Sequence, residues 1–468
     1  MVYQDSSVEL SPSIYETYRS IATRRPKEVA VIDESGCMTT RLELLERADQ
    51  LAALLLSLGV IAADRIALQL PNSVDFIAGF LAILKSGSTL IPIDRDARES
   101  EVSTILSQFE CRALIYRGNN EGDRPLPSVS MRGAALQAHT GGALIKLTSG
   151  STGQPKGILT SERNLIADCH NICLTMDIRE EDRNLGAVPF SHSYGFSNIV
   201  TPLLLQGTAV IATNQYLPLS ILELCNRFGA TVVPGIPMMF DHLSQLPRDD
   251  DSFKTVRIFI SAGAPLTAAV SRRFRERHGG NIHSFYGCSE CGGIAYDRNG
   301  GAVERGFVGP PLEGVTLEFD TQGRLSVKGE AVARGYVRDP DDTGRFGPAT
   351  FLTDDLARLT ADGELELIGR VGDLINTAGK KVNPREVERI ILQLKGVNDV
   401  RVYGQPAGAR GEVVAAVVVA DPDVTREKIR EICRLHLSSH KVPRIVKLID
   451  AIPVDDRGKV RRSALAEL

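Results

Sequence analysis

Leu147-Thr148-Ser149-Gly150-Ser151-Thr152-Gly153-Gln154-Pro155-Lys156-Gly157 follows the apolar segment Ala143-Leu144-Ile145. Glycines let successive backbone N–H groups turn toward one point, and serine and threonine add side-chain donors. With a lysine behind them, these residues suit a polyphosphate. The run departs from the P-loop of many nucleotide-binding enzymes, which ends in Gly-Lys-[Ser/Thr] and opens a helix. Here Pro155 precedes Lys156, Gly157 follows it, and the proline disfavours helix at Gln154. The competing reading is an ordinary polar surface loop, which the length of the ordered run disfavours.

Around this stretch the first 290 residues alternate short apolar segments with helical periods. Ile66–Leu70, Thr89–Pro92, Leu114–Tyr116, Ala209–Ala212, Thr231–Val233 and Val256–Ile260 read as strands. Val74–Leu84 and Ile221–Phe228 read as helices. That rhythm predicts βαβ units and parallel sheets, with ligands at the carboxyl ends of the strands. Near residue 305 the pattern changes. Val315–Phe319, Arg324–Val327 and Glu364–Ile368 predict antiparallel strands.

Asp362-Gly363 is a hairpin signal. A two-residue turn there sets residue 355 opposite residue 370, so Asp355 and Arg370 should be neighbours. They would form a plain cross-strand ion pair or a shared grip on a ligand. From about residue 371 a compact α+β end-piece begins: helices at Asn383–Leu394 and Glu427–Leu437, and strands at Asp399–Val402 and Val413–Ala420. The expected fold class is therefore α/β. A large N-terminal domain (1–370) contains βαβ subdomains with parallel sheets and a small antiparallel β-barrel-like subdomain. A small mobile α+β C-terminal domain (371–468) follows, with its junction near Gly372.

Bulk properties narrow the class. The chain has 468 residues and a formal net charge of −4, which argues against a general nucleic-acid binder. No apolar run approaches the ~20 residues of a membrane span. The eight cysteines are irregularly spaced, as in a reduced cytoplasmic protein. Cys288 with Cys291, and Cys169 with Cys173, could be metal ligands, but core thiols are the simpler reading.

Further motifs stand in order along the chain. Phe285-Tyr286-Gly287-Cys288-Ser289-Glu290 resembles the GYGxTE motif of the adenylate-forming superfamily. Phe351-Leu352-Thr353-Asp354-Asp355-Leu356 resembles its YxTGD motif, and Gly369-Arg370 through Glu388 its GRxDxxIKxxGxxIxPxEIE motif. Pro453 through Lys459 resembles its PxTxxGK motif, and the opening loop its TSGSTGxPKG signature. Within the superfamily, Ile375 through Glu388 is more similar to acyl-CoA synthetases than to peptide-synthetase adenylation domains.

The resemblance implies two half-reactions. A carboxylic acid, fatty or aryl, attacks the α-phosphate of ATP and releases pyrophosphate. A thiol then takes the acyl group and AMP leaves. Coenzyme A is the implied acceptor, and a carrier-protein phosphopantetheine the alternative.

By the same resemblance, Thr148, Ser149, Gly150, Ser151, Thr152, Gly153 and Lys156 would cradle the phosphates. Thr152 and Glu290 would hold Mg²⁺, which favours oxygen ligands. Tyr286 and Gly287 would border the adenine, with Gly263, Ala264 and Pro265 on its other face. Ser289 would donate to the α-phosphate, while Asp355 and Arg370 would hold the ribose. Lys459 would bridge the carboxylate and the α-phosphate, and His192 would stand beside the acyl group, a place Tyr194 could equally fill. Phe190, Gly235, Met238, Ala262 and Cys288 are candidate walls of the acyl pocket. Gly379, Lys380 and Lys381 would lie on the coenzyme A side. A monomer or homodimer is expected.

Two departures stand out. Gly372 replaces the usual Asp or Lys of the hinge. Asp354 replaces the glycine of YxTGD, which could weaken nucleotide binding or add a metal contact.

Overall fold

The structure, a computed structural model, describes residues 13–118, 125–133, 142–149, 155–247, 253–337, 344–377, 380–407, 412–453 and 465. Two large sheets dominate. One runs, in spatial order, Gly292–Tyr296, Ile282–Cys288, Ile258–Ser261, Val232–Gly235, Arg183–Gly186, Ala209–Ala212, Val29–Ile32 and Met38–Thr40. Its inner strands are parallel and its two edge strands antiparallel. The other runs Gly335–Val337, Pro155–Thr160, Leu144–Ser149, Thr89–Pro92, Arg65–Gln69, Ala113–Tyr116 and Ser128–Met131.

Helices fill the space between the sheets. Val74–Lys85 is apolar almost all round, and Phe76, Phe80 and Leu81 are fully buried. One hydrophobic cluster joins it to Ile66, Leu68 and Leu144 of one sheet and to Val31 and Val210 of the other. Outer helices close the remaining faces. Pro218–Phe228 and Ala268–His278 pack on the first sheet, and the face of Glu99–Gln108 bearing Val102, Ile105 and Leu106 packs on the second. A helix that buries its whole circumference between two sheets cannot be amphipathic, which explains the continuous apolar run at 76–83.

A smaller antiparallel unit follows. Thr316–Phe319, Arg324–Lys328, Thr350–Leu359 and Phe346–Gly347 form its sheet, with Leu365–Arg370 paired to the long strand. The C-terminal part has its own core of Val382, Val387, Ile391, Val402, Val418 and Ile429, among others. It contains a ribbon of Ile375–Thr377 with Lys380–Val382, a sheet of Val397–Pro406, Glu412–Ala420 and Ile445–Leu448, and helices Pro384–Ile391 and Arg426–His436.

One buried carboxylate fixes how these layers meet. Asp168, on helix Glu162–Met176, is 2% exposed. It accepts from Ser197 Oγ at 2.7 Å and from the Gly293 N–H at 2.9 Å. Ser197 belongs to a π-helical turn, Phe196–Val200, and Gly293 to the strand that follows the Ser289–Glu290 turn. Gly292 has φ +72°, and a Cβ there would stand 2.2 Å from Asp168 Oδ1. Gly292→Ala should therefore destabilise the fold by more than the ~1–2 kcal/mol of the left-handed backbone alone. The check is a lowered midpoint in thermal unfolding; an unchanged midpoint would refute this packing.

Candidate active site

The candidate residues gather at the carboxyl ends of the first sheet's parallel strands. Gly235 pairs with Ser261, and Ser261 with Ser284, so three strand ends stand side by side. The chain leaves the middle one through Gly263, at φ +86°, into Ala264-Pro265. Tyr286 continues the neighbouring strand.

From there Tyr286 Oη donates to Asp355 Oδ2 at 2.6 Å, and Arg370 Nε donates to Asp355 Oδ1 at 2.7 Å. Asp355 is 6% exposed, and its own N–H donates to Thr353 Oγ1 at 3.1 Å. Burial, reinforced by the Asp355 charge, pushes the Tyr286 phenol well above its usual range, so it stays a donor at neutral pH.

The 355–370 pairing is present, but by another route than a two-residue turn. Near the turn the partners are Leu359 with Leu365 and Ala357 with Leu367, and Thr360 N–H donates to Glu364 O. The turn thus has three residues, Ala361, Asp362 and Gly363, with Gly363 at φ +77°. Farther out, Leu356 pairs with Gly369, which leaves Ile368 as a bulge. The longer turn shifts the register by one residue and the bulge shifts it back.

Thr148 stands opposite Lys156, and Ser149 opposite Pro155, in an antiparallel pair. The strand Pro155–Thr160 follows the loop where a P-loop would start a helix, as the proline suggested. Gly150, Ser151, Thr152, Gly153, Gly379 and Lys459 lie outside the described residues, as does the side chain of Ser149.

Three contacts were not foreseen. Tyr336 Oη donates to Glu290 Oε1 at 2.9 Å, and Lys156 Nζ stands 5.4 Å from the centre of the same ring. Ser193 Oγ donates to Ser289 Oγ at 2.8 Å. Lys146 Nζ, on a residue 4% exposed, donates to the Ser289 carbonyl at 3.3 Å. Alternation along Leu144–Ser149 could have flagged Lys146, a cation on the same inward face as Leu144. Tyr336 carried no comparable signal, because it meets Glu290 only through the pairing of Gly335–Val337 with Pro155–Thr160.

Several candidates are placed differently from expectation. Phe190 is fully buried and packs edge-on against Phe76 at 5.7 Å, so it supports the segment from behind and offers no pocket wall. Tyr194 Oη donates to the Ile260 carbonyl at 2.9 Å, a structural bond. His192 Nε2 lies 3.3 Å from Asp94 Oδ2. Gly235 is overlaid by Met239, whose methyl would be 2.0 Å from an added Cβ. Ala262 is buried and Met238 is 37% exposed. Cys288 packs with Cys291 against the antiparallel unit; the contact between the sulfurs, then burial, raises its thiol pKa well above the usual value. All the cysteines described are free thiols.

Asp354 points away from Asp355, as strand alternation requires. Arg345 grips it through two bonds of 2.8 Å, and Arg324 Nη2 reaches it at 3.1 Å. It is engaged in ion pairs on the outer face and is no metal contact.

Among the described residues no group of three or more His, Cys, Asp or Glu could hold a metal ion. Glu290 keeps one oxygen without a partner there. One such carboxylate oxygen fits Mg²⁺, which keeps waters and takes phosphate oxygens for most of its shell.

Past Arg370, Gly372 has open space where a Cβ would stand. Lys380 lines a cleft of about 280 Å³ with Thr377, Ser439, His440, Val442 and Arg444, and Lys381 is exposed beside it. Among the described residues no helix is long and apolar enough to cross a membrane.

Comparison with known proteins identifies the family and the fold. The AMP-binding enzyme family matches residues 18–337, and the C-terminal domain of AMP-binding enzymes matches residues 386–459. The long-chain-fatty-acid–CoA ligase FadD13 of Mycobacterium tuberculosis is 27% identical, over 96% of this chain and 97% of its own length. A feruloyl-CoA synthase of Amycolatopsis is 26% identical, over 93% and 95%. ATP-bound MatB from Rhodopseudomonas palustris has the same fold, with a TM-score of 0.85 at 26% identity, over 97% of this chain and 98% of its own. The chain belongs to the AMP-binding enzyme family.

Proposed function

We propose that the protein activates a fatty or aryl carboxylic acid with ATP and transfers the acyl group to coenzyme A. The carrying observation is the Asp355 carboxylate, gripped by Tyr286 and Arg370 beside Ser289 and Glu290. A carboxylate held by two donors keeps acceptor capacity for both hydroxyls of a ribose. Tyr286 and Gly263-Ala264-Pro265 are suited to flank the adenine. The Thr148–Lys156 hairpin is suited to the terminal phosphates, with Mg²⁺ at Glu290 and Thr152 supplying charge neutralisation when bound.

In the first half-reaction a substrate carboxylate oxygen bonds to the α-phosphorus, and the bond to the β-phosphate bridging oxygen breaks. Such steps depend mainly on alignment and charge neutralisation. Ser289 would orient the α-phosphate and Lys459 would neutralise charge shared by carboxylate and phosphate. In the second half-reaction a thiolate attacks the acyl carbon and AMP leaves. His192, 3.3 Å from Asp94, would border the acyl group. Rotation of the C-terminal part about Gly372 would exchange Lys459 for the thiol path, and a glycine absorbs the φ/ψ change at little steric cost.

The cleft beside Lys380, with His440 and Arg444, favours coenzyme A over a carrier protein. The Lys380 and Arg444 cations match the phosphates of a free nucleotide thiol.

Incubation with ATP and a panel of carboxylic acids should release pyrophosphate, and added CoA should yield acyl-CoA and AMP. Silence across fatty and aryl acids would sink the reading; turnover with a carrier protein but not CoA would favour the other acceptor. Lys459→Ala should abolish adenylation yet spare thioester formation from supplied acyl-adenylate, whereas loss of both would contradict its role. Arg444→Ala should raise the KM for CoA about tenfold, the effect of one charge-assisted contact. The KM for ATP should not move.

A further inference from the structure

Lys146 is a buried cation that the chemistry above does not use. Its residue is 4% exposed, yet among the described residues its only polar contact is the Ser289 carbonyl at 3.3 Å. An ammonium has three donors. One neutral, long contact leaves two of them unused and the charge uncompensated, and a buried charge is stable only when paired. No described carboxylate forms an ion pair with Lys146, although Glu290 is one residue beyond Ser289.

Its position suggests the missing anion. Lys146 and Thr148 share one face of the strand Leu144–Ser149. Leu144 on that face packs into the core between the sheets, whereas Ile145 packs outward. Lys146 thus leaves the strand just before the phosphate loop and reaches the turn of Ser289, whose hydroxyl is held by Ser193 at 2.8 Å. The two segments suited to the nucleotide phosphates meet at this ammonium.

We propose that Lys146 is a further cation of the adenylation site, fixed in the large domain like Lys156 and binding the α-phosphate of the nucleotide. The inference rests on the ATP-dependent reading above. It differs in kind from the role given to Lys459, because Lys146 rides on a central strand and stays when the C-terminal part turns. It would hold the adenylate phosphate through both half-reactions.

The test compares AMP with adenosine by calorimetry on the full chain. Wild type should bind AMP more tightly than adenosine. Lys146→Met should weaken AMP about ten- to a hundredfold, the range for a lost charge-assisted contact, and adenosine less than about twofold. Lys146→Arg should retain most of the preference for AMP. If Lys146→Met does not fold, Lys146→Gln is read the same way. Equal weakening of both ligands would make Lys146 a strut of the Ser289 turn and overturn the proposal, as would unchanged AMP binding. Failure of wild type to prefer AMP, together with no pyrophosphate release, would instead overturn the ATP-dependent reading itself.

Discussion

The active-site arrangement depends on one carboxylate. Asp355 is almost fully buried and accepts from Tyr286, at the end of a strand of the first large sheet, and from Arg370, at the end of the antiparallel unit. Removing a carboxylate from water costs several kcal/mol, which partners must offset. Each charge-assisted bond returns about 1.5–3 kcal/mol. The two bonds therefore make the burial tolerable and join two structural units at one point. That point lies two residues before Gly372. A nucleotide sugar bound to Asp355 would sense the position of both units.

The geometry around Asp355 shows why the sequence was legible here. A turn signal and strand periodicity were enough to pair residues 355 and 370. Yet the agreement came from two departures that cancel, a three-residue turn at Ala361–Gly363 and a bulge at Ile368. Counting from a turn finds a partner only when the intervening strands are regular, and a bulge leaves no reliable mark in sequence. The parallel sheets and the C-terminal α+β core were readable because their periodicities are local, and Pro155 excluded a helix after the glycine-rich loop. What escaped was set by tertiary pairing. Phe190 reads as a pocket aromatic beside His192, but its ring is claimed by Phe76, 114 positions earlier in the chain. Asp354 reads as a second acid beside Asp355, but strand alternation turns it to Arg324 and Arg345. Tyr336 reaches Glu290 only because Gly335–Val337 adds an edge strand to the sheet of the phosphate loop.

Asp168 solves a related problem at the back of the site. The Ser289–Glu290 turn must be held still, although it lies between two strands that glycine makes pliable. Gly292 takes a left-handed conformation and Gly287 lets the Gly292 carbonyl come within 2.5 Å of where a Cβ would be. Asp168 compensates by fixing the Gly293 N–H from a helix on the other side. The π-helical turn that brings Ser197 to the same carboxylate costs regular helix bonding, and such turns gather at functional sites. The glycines provide the close approach, and the buried acid restores the rigidity that they remove.

On the proposed rotation about Gly372, the charges of the site ride on elements of unequal mobility. Lys156 and Glu290 meet across the ring of Tyr336, and Lys146 stands under Ser289, all on strands of the two large sheets or the turn that follows one. Lys459 belongs to the far end of the chain, beyond Gly372. If every cation were on the C-terminal part, its rotation would strip the adenylate of compensation when the thiol arrives, and the intermediate could escape. If every cation were fixed, the thiol would find no path. The proposed pair, a fixed ammonium at position 146 and a movable one at position 459, would meet both demands. The first would retain the phosphate, and the second would confine the stabilisation of adenylation to the orientation in which the acid and ATP react.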